Sequence, residues 1–117
     1  FDMPYDTTCM HEFVMSLEKF HKENNVSALD VAKALLDFGI HPPTMYFPLI
    51  VSEALMVEPT ETESRETLDD AIAAFRKIYD SIISSPASVS ASPVTTPMRR
   101  LDEVKAAREP VLKYEFS

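Results

Sequence analysis

The placement of proline restricts the fold of this chain more than any other sequence feature. There are nine prolines and a single glycine. Proline has no backbone N–H to donate to a sheet and it disrupts a helix interior. The prolines within residues 41–48 therefore exclude a central strand there and favour a rigid edge or loop segment. With Gly39 as the only glycine, the chain also lacks the glycine-rich loops that hold nucleotide and cofactor phosphates.

Apolar residues at helical spacing predict a first helix over residues 28–38. Ser27 is a good N-cap, and Asp30 stands three residues later in a position typical of a capping box. Gly39 fits the left-handed position that ends a helix, and the Pro-Pro pair that follows prevents continuation.

A longer apolar stripe predicts a second helix over residues 64–83. Acidic residues are concentrated in its first turns, where the helix dipole favours negative charge. Two arrangements of its N-terminus are open: Thr60 as the cap with Glu63 closing a capping box, or Ser64 as the cap.

The remaining segments predict an α+β fold, a small antiparallel sheet with helices on one face, formed by residues 1–117 as a single domain. Alternating or continuous apolar residues indicate strands over 9–17 and 49–57, with a loop or short helix between them at 18–26. The Ser/Pro/Ala-rich stretch 84–97 predicts a mobile or extended linker. A short helix over 99–108 and a tail over 111–117, as a strand or an ordered arm, follow the linker.

Composition excludes several classes of protein. Hydrophobic residues make up 45% and charged residues 26%, which is typical of a globular domain. The net charge is −8, and Arg99-Arg100 is the only adjacent basic pair, so we expect no nucleic-acid partner. No apolar run is long enough for a membrane span. The single cysteine, Cys9, indicates a reducing compartment.

Four residues near the N-terminus and the proline segment could carry chemistry. His11, Glu12 and His41 could bind zinc, but their spacing matches no zinc motif, and we predict no metal site. Cys9 could act as a nucleophile with His11 or His41 as its base. The alternative is an inert, buried cysteine that serves as a small hydrophobic residue.

Two charged clusters have both a chemical and a structural explanation. Glu58, Glu61 and Glu63 could be a carboxylate cluster for acid–base work, but the pattern favours the acidic N-terminus of a helix. Arg99 and Arg100 could bind an anion, or pair with neighbouring acids on a solvated face. The residues by themselves therefore indicate no self-sufficient active site and no substrate.

Three strings in the same order resemble one family, the glycine decarboxylase (P-protein) of the glycine cleavage system. They are HPPTMYFPL at 41–49, EALMVEPTETES at 53–64 and TTPMRRLDE at 95–103. The resemblance extends from about residue 9 to residue 108. The third string resembles the tail of subunit 2 in the two-subunit bacterial and archaeal form.

The resemblance implies the C-terminal small domain of a fold-type-I pyridoxal-phosphate enzyme, glycine dehydrogenase (decarboxylating). The full enzyme decarboxylates glycine and passes the aminomethyl group to the lipoyl arm of the H-protein. It also implies subunit 1 as a partner and a cytoplasmic location. The Schiff-base lysine of the family lies upstream of this segment, so we expect the 117-residue chain alone to bind no cofactor and to have no activity.

In this fold class the small domain covers the substrate cleft. The proline segment suggests His41, Thr44 and Tyr46 as cleft-facing residues, because proline reduces flexibility and holds side chains in place. Glu61 is a further candidate. The alternative function is a stand-alone protein-interaction module with Tyr46 and Phe47 as its contact patch.

Excision of such a domain from a larger protein would expose apolar surface. We expect residues 45–47 and 49–51 to be the exposed patches and the chain to self-associate through them.

Overall fold

The strands and helices of this protein were located in a computed structural model that describes residues 1–114. This part of the chain forms three strands and five helices. In order they are β1 (Phe13–Ser16), α1 (Glu18–Asn24), α2 (Ala28–Asp37), β2 (Thr44–Met45), β3 (Ala54–Val57), α3 (Arg65–Ser84), α4 (Pro86–Ser90) and α5 (Glu103–Arg108). The predicted α+β class is confirmed.

The sheet is antiparallel, with β3 in the centre and the strand order β1-β3-β2. Leu55 lies opposite Met15 on one side and Met45 on the other, and these side chains face the helices. The edge strand β2 has only two residues. Prolines flank it, which agrees with the prediction that this segment could form an edge but not a central strand.

Both predicted strands are shorter than the sequence indicated. β3 begins at Ala54 rather than at residue 49, because the chain turns before it. Tyr46 and Glu53 adopt positive φ angles of 56° and 49° at the two ends of this turn. The β2–β3 loop, residues 46–53, is therefore irregular despite its apolar sequence. Likewise β1 begins at Phe13, after an irregular N-terminal segment.

The ends of α2 follow the prediction. Ser27 caps the helix, and the Asp30 side chain accepts a hydrogen bond from the Ser27 backbone, which completes a capping box. Gly39 follows the helix with a φ of 72°. Most residues would be strained at such an angle, whereas glycine adopts it readily.

Ser64 is the cap of α3, because its side chain accepts the backbone N–H of Thr67. The arrangement with Thr60 as the cap is wrong. The carbonyl of Thr60 instead accepts the N–H of Glu63 in a turn before the helix. The cap therefore lies at the residue next to the first helical turn, where its oxygen can reach the free N–H groups.

The core lies between the sheet and the helices α2 and α3. Its largest fully buried side chains come from both layers: Leu17, Val26, Val31, Leu35, Leu55 and Ile82. An aromatic cluster of Phe1, Phe20, Phe75 and Tyr79 covers one end, with ring centroids 5.6–6.1 Å apart. No helix within residues 1–114 combines the length and the apolar character that crossing a membrane would need.

The extended linker predicted for residues 84–97 is not what the structure shows. Helix α4 occupies its first part, with Pro86 in the first turn, where its missing N–H costs nothing. Val89 is buried in the core, and α4 packs against α2 and α3. The serine and proline content indicated flexibility, but the apolar side chain of Val89 fixes the segment to the helices.

The last helix is also shorter than predicted, since α5 begins at Glu103. Asp102 is its N-cap, and just before it the Arg100 side chain donates to the carbonyl of Ser92 at 2.7 Å. Residues 111–114 form no strand, and residues 115–117 of the predicted tail lie outside the described residues.

Candidate functional site

Asp37, at the last turn of α2, binds the connecting segment, which we define as residues 92–100. Its Oδ1 accepts the backbone N–H of Val94, the N–H of Thr95 and the Oγ1–H of Thr95, each at 2.8 Å. Burial acts to raise the pKa of Asp37, but hydrogen bonds from Thr95, Val94 and Ser92 outweigh it and lower the pKa. The folded structure therefore favours the ionised form of the Asp37 carboxylate, and in this form it binds the segment.

Asp30 binds the other end of the same segment. Its Oδ1 lies 2.7 Å from Nη2 of Arg100, and its Oδ2 accepts the N–H and the hydroxyl of Ser27, both at 2.9 Å. Burial acts to raise the pKa of Asp30, while the Ser27 and Arg100 contacts lower it further than burial raises it. Asp30 and Asp37 are two helical turns apart on one face of α2, so the connecting segment runs along that face.

This arrangement determines what the two arginines can bind. Arg100 is paired with Asp30, and Nη1 of Arg99 lies 3.4 Å from the carbonyl of Pro93. The pairing acid is thus 70 residues away in sequence and not one of the neighbours Asp102 and Glu103. Arg100 is a structural residue in this geometry, because its guanidinium is already neutralised.

A groove of about 930 Å³ opens between residues 40–44 and α3. Its lining includes the apolar residues Leu68, Ala71 and Phe75 together with residues that carry carboxylates. Those carboxylates belong to Glu58, Glu63 and Asp70. A concave surface that combines apolar side chains with polar groups can bind a small molecule.

The structure brings together two of the four predicted site residues. His41 and Thr44 both line this groove. Tyr46 lies beyond it, at the start of the β2–β3 loop, with a φ of 56°. Glu61 is exposed in the turn that precedes α3 and does not line the groove either. The candidates therefore belong to two neighbouring surfaces rather than to one cluster.

Sequence reasoning did not identify Glu53, which fixes the β2–β3 loop to the helices. Its Oε2 accepts the N–H of Ala28 at 2.6 Å, at the start of α2, and its Oε1 lies 4.0 Å from Nδ1 of His21. The carbonyl of Glu53 accepts the N–H of Leu17. No local pattern marks such a residue, since its partners lie 25 or more positions away.

The β2–β3 loop presents apolar side chains at its tip. Leu49 and Ile50 are 87% and 85% exposed, and Phe47 is half-exposed. Of the predicted patches 45–47 and 49–51, residues 46–47 and 49–50 are exposed, whereas Met45 packs half-buried against the core and Val51 is half-buried. The loop is held by Glu53, by the bond from the Ser16 hydroxyl to the Ser52 carbonyl, and by the bond from the Tyr46 N–H to the Ala54 carbonyl.

The other chemical candidates lie apart from the groove. His11 Nε2 is 3.0 Å from Glu12 Oε2, and both side chains are exposed. Cys9 is exposed too, so its expected burial is wrong, because it lies in the irregular segment before β1. Within residues 1–114 no three His, Cys, Asp or Glu side chains are placed to share a metal ion.

The six lysines test whether this chain can hold pyridoxal phosphate. A Schiff-base lysine lies in a shielded pocket, where a lowered pKa makes its amine nucleophilic. Lys33 is half-buried and the other five lysines are exposed. Lys22 pairs with Glu18 at 2.6 Å, and Lys77 lies 6.0 Å from the ring centroid of Phe38. The residues of this chain therefore do not fit the cofactor.

Two comparisons with known proteins point to the same family. A family model described as "Glycine dehydrogenase, C-terminal domain" matches residues 3–98. Proteins named "Probable glycine dehydrogenase (decarboxylating) subunit 2" are similar over 115 residues, or 98% of this chain: 57% identical in Treponema denticola, 56% in Thermosipho melanesiensis and 56% in Bacillus velezensis. The chain spans 23–24% of the length of these relatives.

Proposed function

The chain belongs to the family of glycine dehydrogenase C-terminal domains, and we propose that it serves as this domain in subunit 2 of a two-subunit glycine dehydrogenase (decarboxylating). The observation that carries the proposal is the 57% identity over 98% of the chain to a protein of that name. A stand-alone interaction module is not favoured, because in the relatives this sequence is part of a chain about four times as long.

The proposed reaction is decarboxylation of glycine and transfer of the aminomethyl group to the lipoyl arm of the H-protein. When bound, pyridoxal phosphate supplies the electron sink for such chemistry. The lysines of this chain do not fit the cofactor, so the Schiff-base lysine and the phosphate site must come from the rest of the enzyme. We further propose subunit 1 and the H-protein as partners and the cytoplasm as the location.

The contribution that we propose for this domain is a wall of the substrate cleft. His41 and Thr44 line the groove beside a segment in which proline restricts the backbone. Such restriction lowers the entropy that must be lost when a substrate is positioned. Tyr46 and Glu61 would act from the adjoining surfaces, next to the loop and the α3 N-terminus.

Neither arginine of the connecting segment is proposed to bind the glycine carboxylate. Arg100 is paired with Asp30. A decarboxylase also works faster when its departing carboxylate is less stabilised in the ground state than in the transition state. A bidentate arginine on that carboxylate would work against its departure.

The test uses full-length subunit 2 containing this domain, assembled with subunit 1, and measures glycine–bicarbonate exchange. His41→Ala, Thr44→Ala, Tyr46→Ala and Glu61→Gln are made singly. We expect at least one of the groove variants, His41→Ala or Thr44→Ala, to lower the exchange rate about tenfold or more, which corresponds to about 1.4 kcal/mol.

His11→Ala is the matched control, because His11 is an exposed histidine outside the groove that pairs only with its neighbour Glu12 among the ion pairs within residues 1–114. Its exchange rate should equal that of the wild type. An assembled wild-type enzyme without exchange activity would contradict the proposed function itself. Four variants with unchanged activity would contradict only the cleft assignment.

A further inference from the structure

Glu53 lies where the β2–β3 loop joins the central strand, one residue before β3. Its carbonyl accepts the N–H of Leu17 at 3.0 Å, which continues the pairing with β1 beyond the strand. On the other side, the carbonyl of the next residue, Ala54, accepts the N–H of Tyr46 at 2.8 Å. Glu53 therefore stands at the base of the loop, between the two edges of the sheet.

The carboxylate of Glu53 points inward. Its side chain is 15% exposed, against 45% and 46% for the ion-paired Glu12 and Glu18. Its Oε2 accepts the N–H of Ala28 at 2.6 Å, in the first turn of α2, where N–H groups have no partner within the helix. A carboxylate that accepts such an N–H forms a strong, charge-assisted hydrogen bond. This bond fixes the base of the loop to α2.

The backbone at both ends of the loop supports a special role for this position. Tyr46 and Glu53 have φ angles of 56° and 49°, in a region that residues with a side chain seldom adopt. Such conformations persist where surrounding contacts fix them, and they occur often at functional sites. A glycine at position 53 would adopt the angle without strain but would lack the carboxylate. The side chain is therefore what this position requires.

Tyr46 is the residue whose place depends on this base. Its N–H bond to the Ala54 carbonyl fixes its backbone beside Glu53. Thr44, two residues earlier, lines the groove, and two residues span at most about 7 Å between Cα atoms. The Tyr46 side chain is partly exposed. Its ring is thus carried at the edge of the groove by a backbone that the loop base holds in place.

We propose that Glu53 is a positioning residue of the enzyme, which holds Tyr46 at the edge of the substrate cleft through the bond to Ala28. This inference rests on the proposed function, because that function assigns Tyr46 to the cleft. Nδ1 of His21 lies 4.0 Å from Glu53 Oε1, beyond hydrogen-bond distance, and the His21 side chain is half-exposed. The Ala28 bond, and not the pair with His21, therefore carries the effect.

The test uses full-length subunit 2 assembled with subunit 1. The glycine–bicarbonate exchange rate at saturating glycine is expressed per cofactor-loaded site, so that loss of folded enzyme does not lower it. Glu53→Ala removes the carboxylate, and Glu53→Asp keeps the charge but shortens the side chain by one methylene. We expect both to lower the rate about tenfold. Glu53→Gln should stay within about threefold of the wild type, because its amide oxygen can still accept the Ala28 N–H.

A double-mutant cycle separates positioning from a merely structural role. If Glu53 acts through Tyr46, then Glu53→Ala should lower the rate of the Tyr46→Ala enzyme by less than about twofold further. An effect of Glu53 that does not involve Tyr46 would lower the rate by the same factor in both backgrounds.

Glu66→Ala is the matched control. Glu66 is also a glutamate at the N-terminal end of a helix, but it is exposed in the first turn of α3 and does not line the groove. Its rate should equal that of the wild type in both backgrounds, as surface substitutions usually have small effects.

Equal factors for Glu53→Ala in the two backgrounds would overturn the proposal. So would a wild-type rate for Tyr46→Ala, or a Glu53→Gln enzyme as slow as Glu53→Ala. An assembled wild-type enzyme without activity would instead contradict the proposed function. Deuterium uptake by residues 46–53 still tests Glu53 in that enzyme: it should be faster in Glu53→Ala and unchanged in Glu53→Gln. Unchanged uptake in Glu53→Ala would overturn the proposal whether or not the enzyme is active.

Discussion

Arg100 Nη2 lies 2.7 Å from Asp30 Oδ1, while the second oxygen of the same carboxylate accepts two hydrogen bonds from Ser27. One side chain therefore begins helix α2 and also fixes the connecting segment to it. Asp30 is nearly buried, whereas Arg100 still contacts solvent. Removal of the carboxylate would affect both the helix and the connecting segment.

Asp30→Ala should lower the free energy of unfolding by about 2–3 kcal/mol, since it removes a capping box and a charge-assisted hydrogen bond. Urea unfolding followed by circular dichroism measures the change. Asp69→Ala is the control, because Asp69 forms an exposed ion pair with Arg65 at 3.8 Å. Exposed pairs contribute about 0–1 kcal/mol. Equal effects of the two substitutions would show that the Asp30 contacts do not cause the loss of stability.

Asp37 should make stability depend on pH in the acid range. Its folded pKa is lowered from the ordinary value of 3.8, so the folded state favours the ionised carboxylate. The stabilisation is complete above the unfolded pKa and is lost as the pH falls through the folded one. Asp37→Asn should therefore be less stable than the wild type at pH 6, and the difference should shrink at lower pH.

Urea midpoints at pH 6 and pH 3 measure this dependence. Asp80→Asn, on the exposed face of α3, is the control, and its pH profile should follow the wild type. A constant difference between Asp37→Asn and the wild type at both pH values would contradict ionisation as the source of the effect. It would point instead to the loss of hydrogen-bond geometry.

The cap of α3 gives a matched pair of substitutions. Ser64→Ala should destabilise the protein by about 1 kcal/mol, because the side chain satisfies the N–H of Thr67. Thr60→Ala should change stability by less than about 0.5 kcal/mol, since its hydroxyl bonds the exposed Thr62 hydroxyl and not the helix. Thermal unfolding of both variants measures the contrast, and the reverse order would show that the cap is Thr60.

Local sequence rules predicted the parts of the fold that have local causes. The capping box of α2 involves residues three positions apart, and the positive φ at Gly39 needs only a residue without a side chain. The irregular β2–β3 loop and the packed segment after α3 were not predictable in this way. The hydrogen bonds that Ala28 donates to Glu53 and Thr95 donates to Asp37 join residues 25 and 58 positions apart.

The same reason limits prediction of the site. Proline restricts the backbone at residues 42–43, so the placement of His41 and Thr44 beside a rigid segment could be anticipated. The groove itself forms only when α3 packs against that segment. Tyr46 follows Thr44 closely in sequence, yet the turn at its positive φ takes it away from the groove.

The last prediction concerns the cofactor. The 117-residue chain, mixed with pyridoxal phosphate and then dialysed, should show no internal-aldimine absorbance band. Exposed lysines such as Lys19 and Lys113 can form Schiff bases with the free aldehyde. These adducts lack a shielded pocket and a phosphate site, so water reverses them during dialysis.

Full-length subunit 2, assembled with subunit 1, is the positive control and should keep its band. A band that survives dialysis of the short chain would show that one of its lysines lies in a true cofactor site. The assignment of the Schiff-base lysine to the rest of the enzyme would then be wrong.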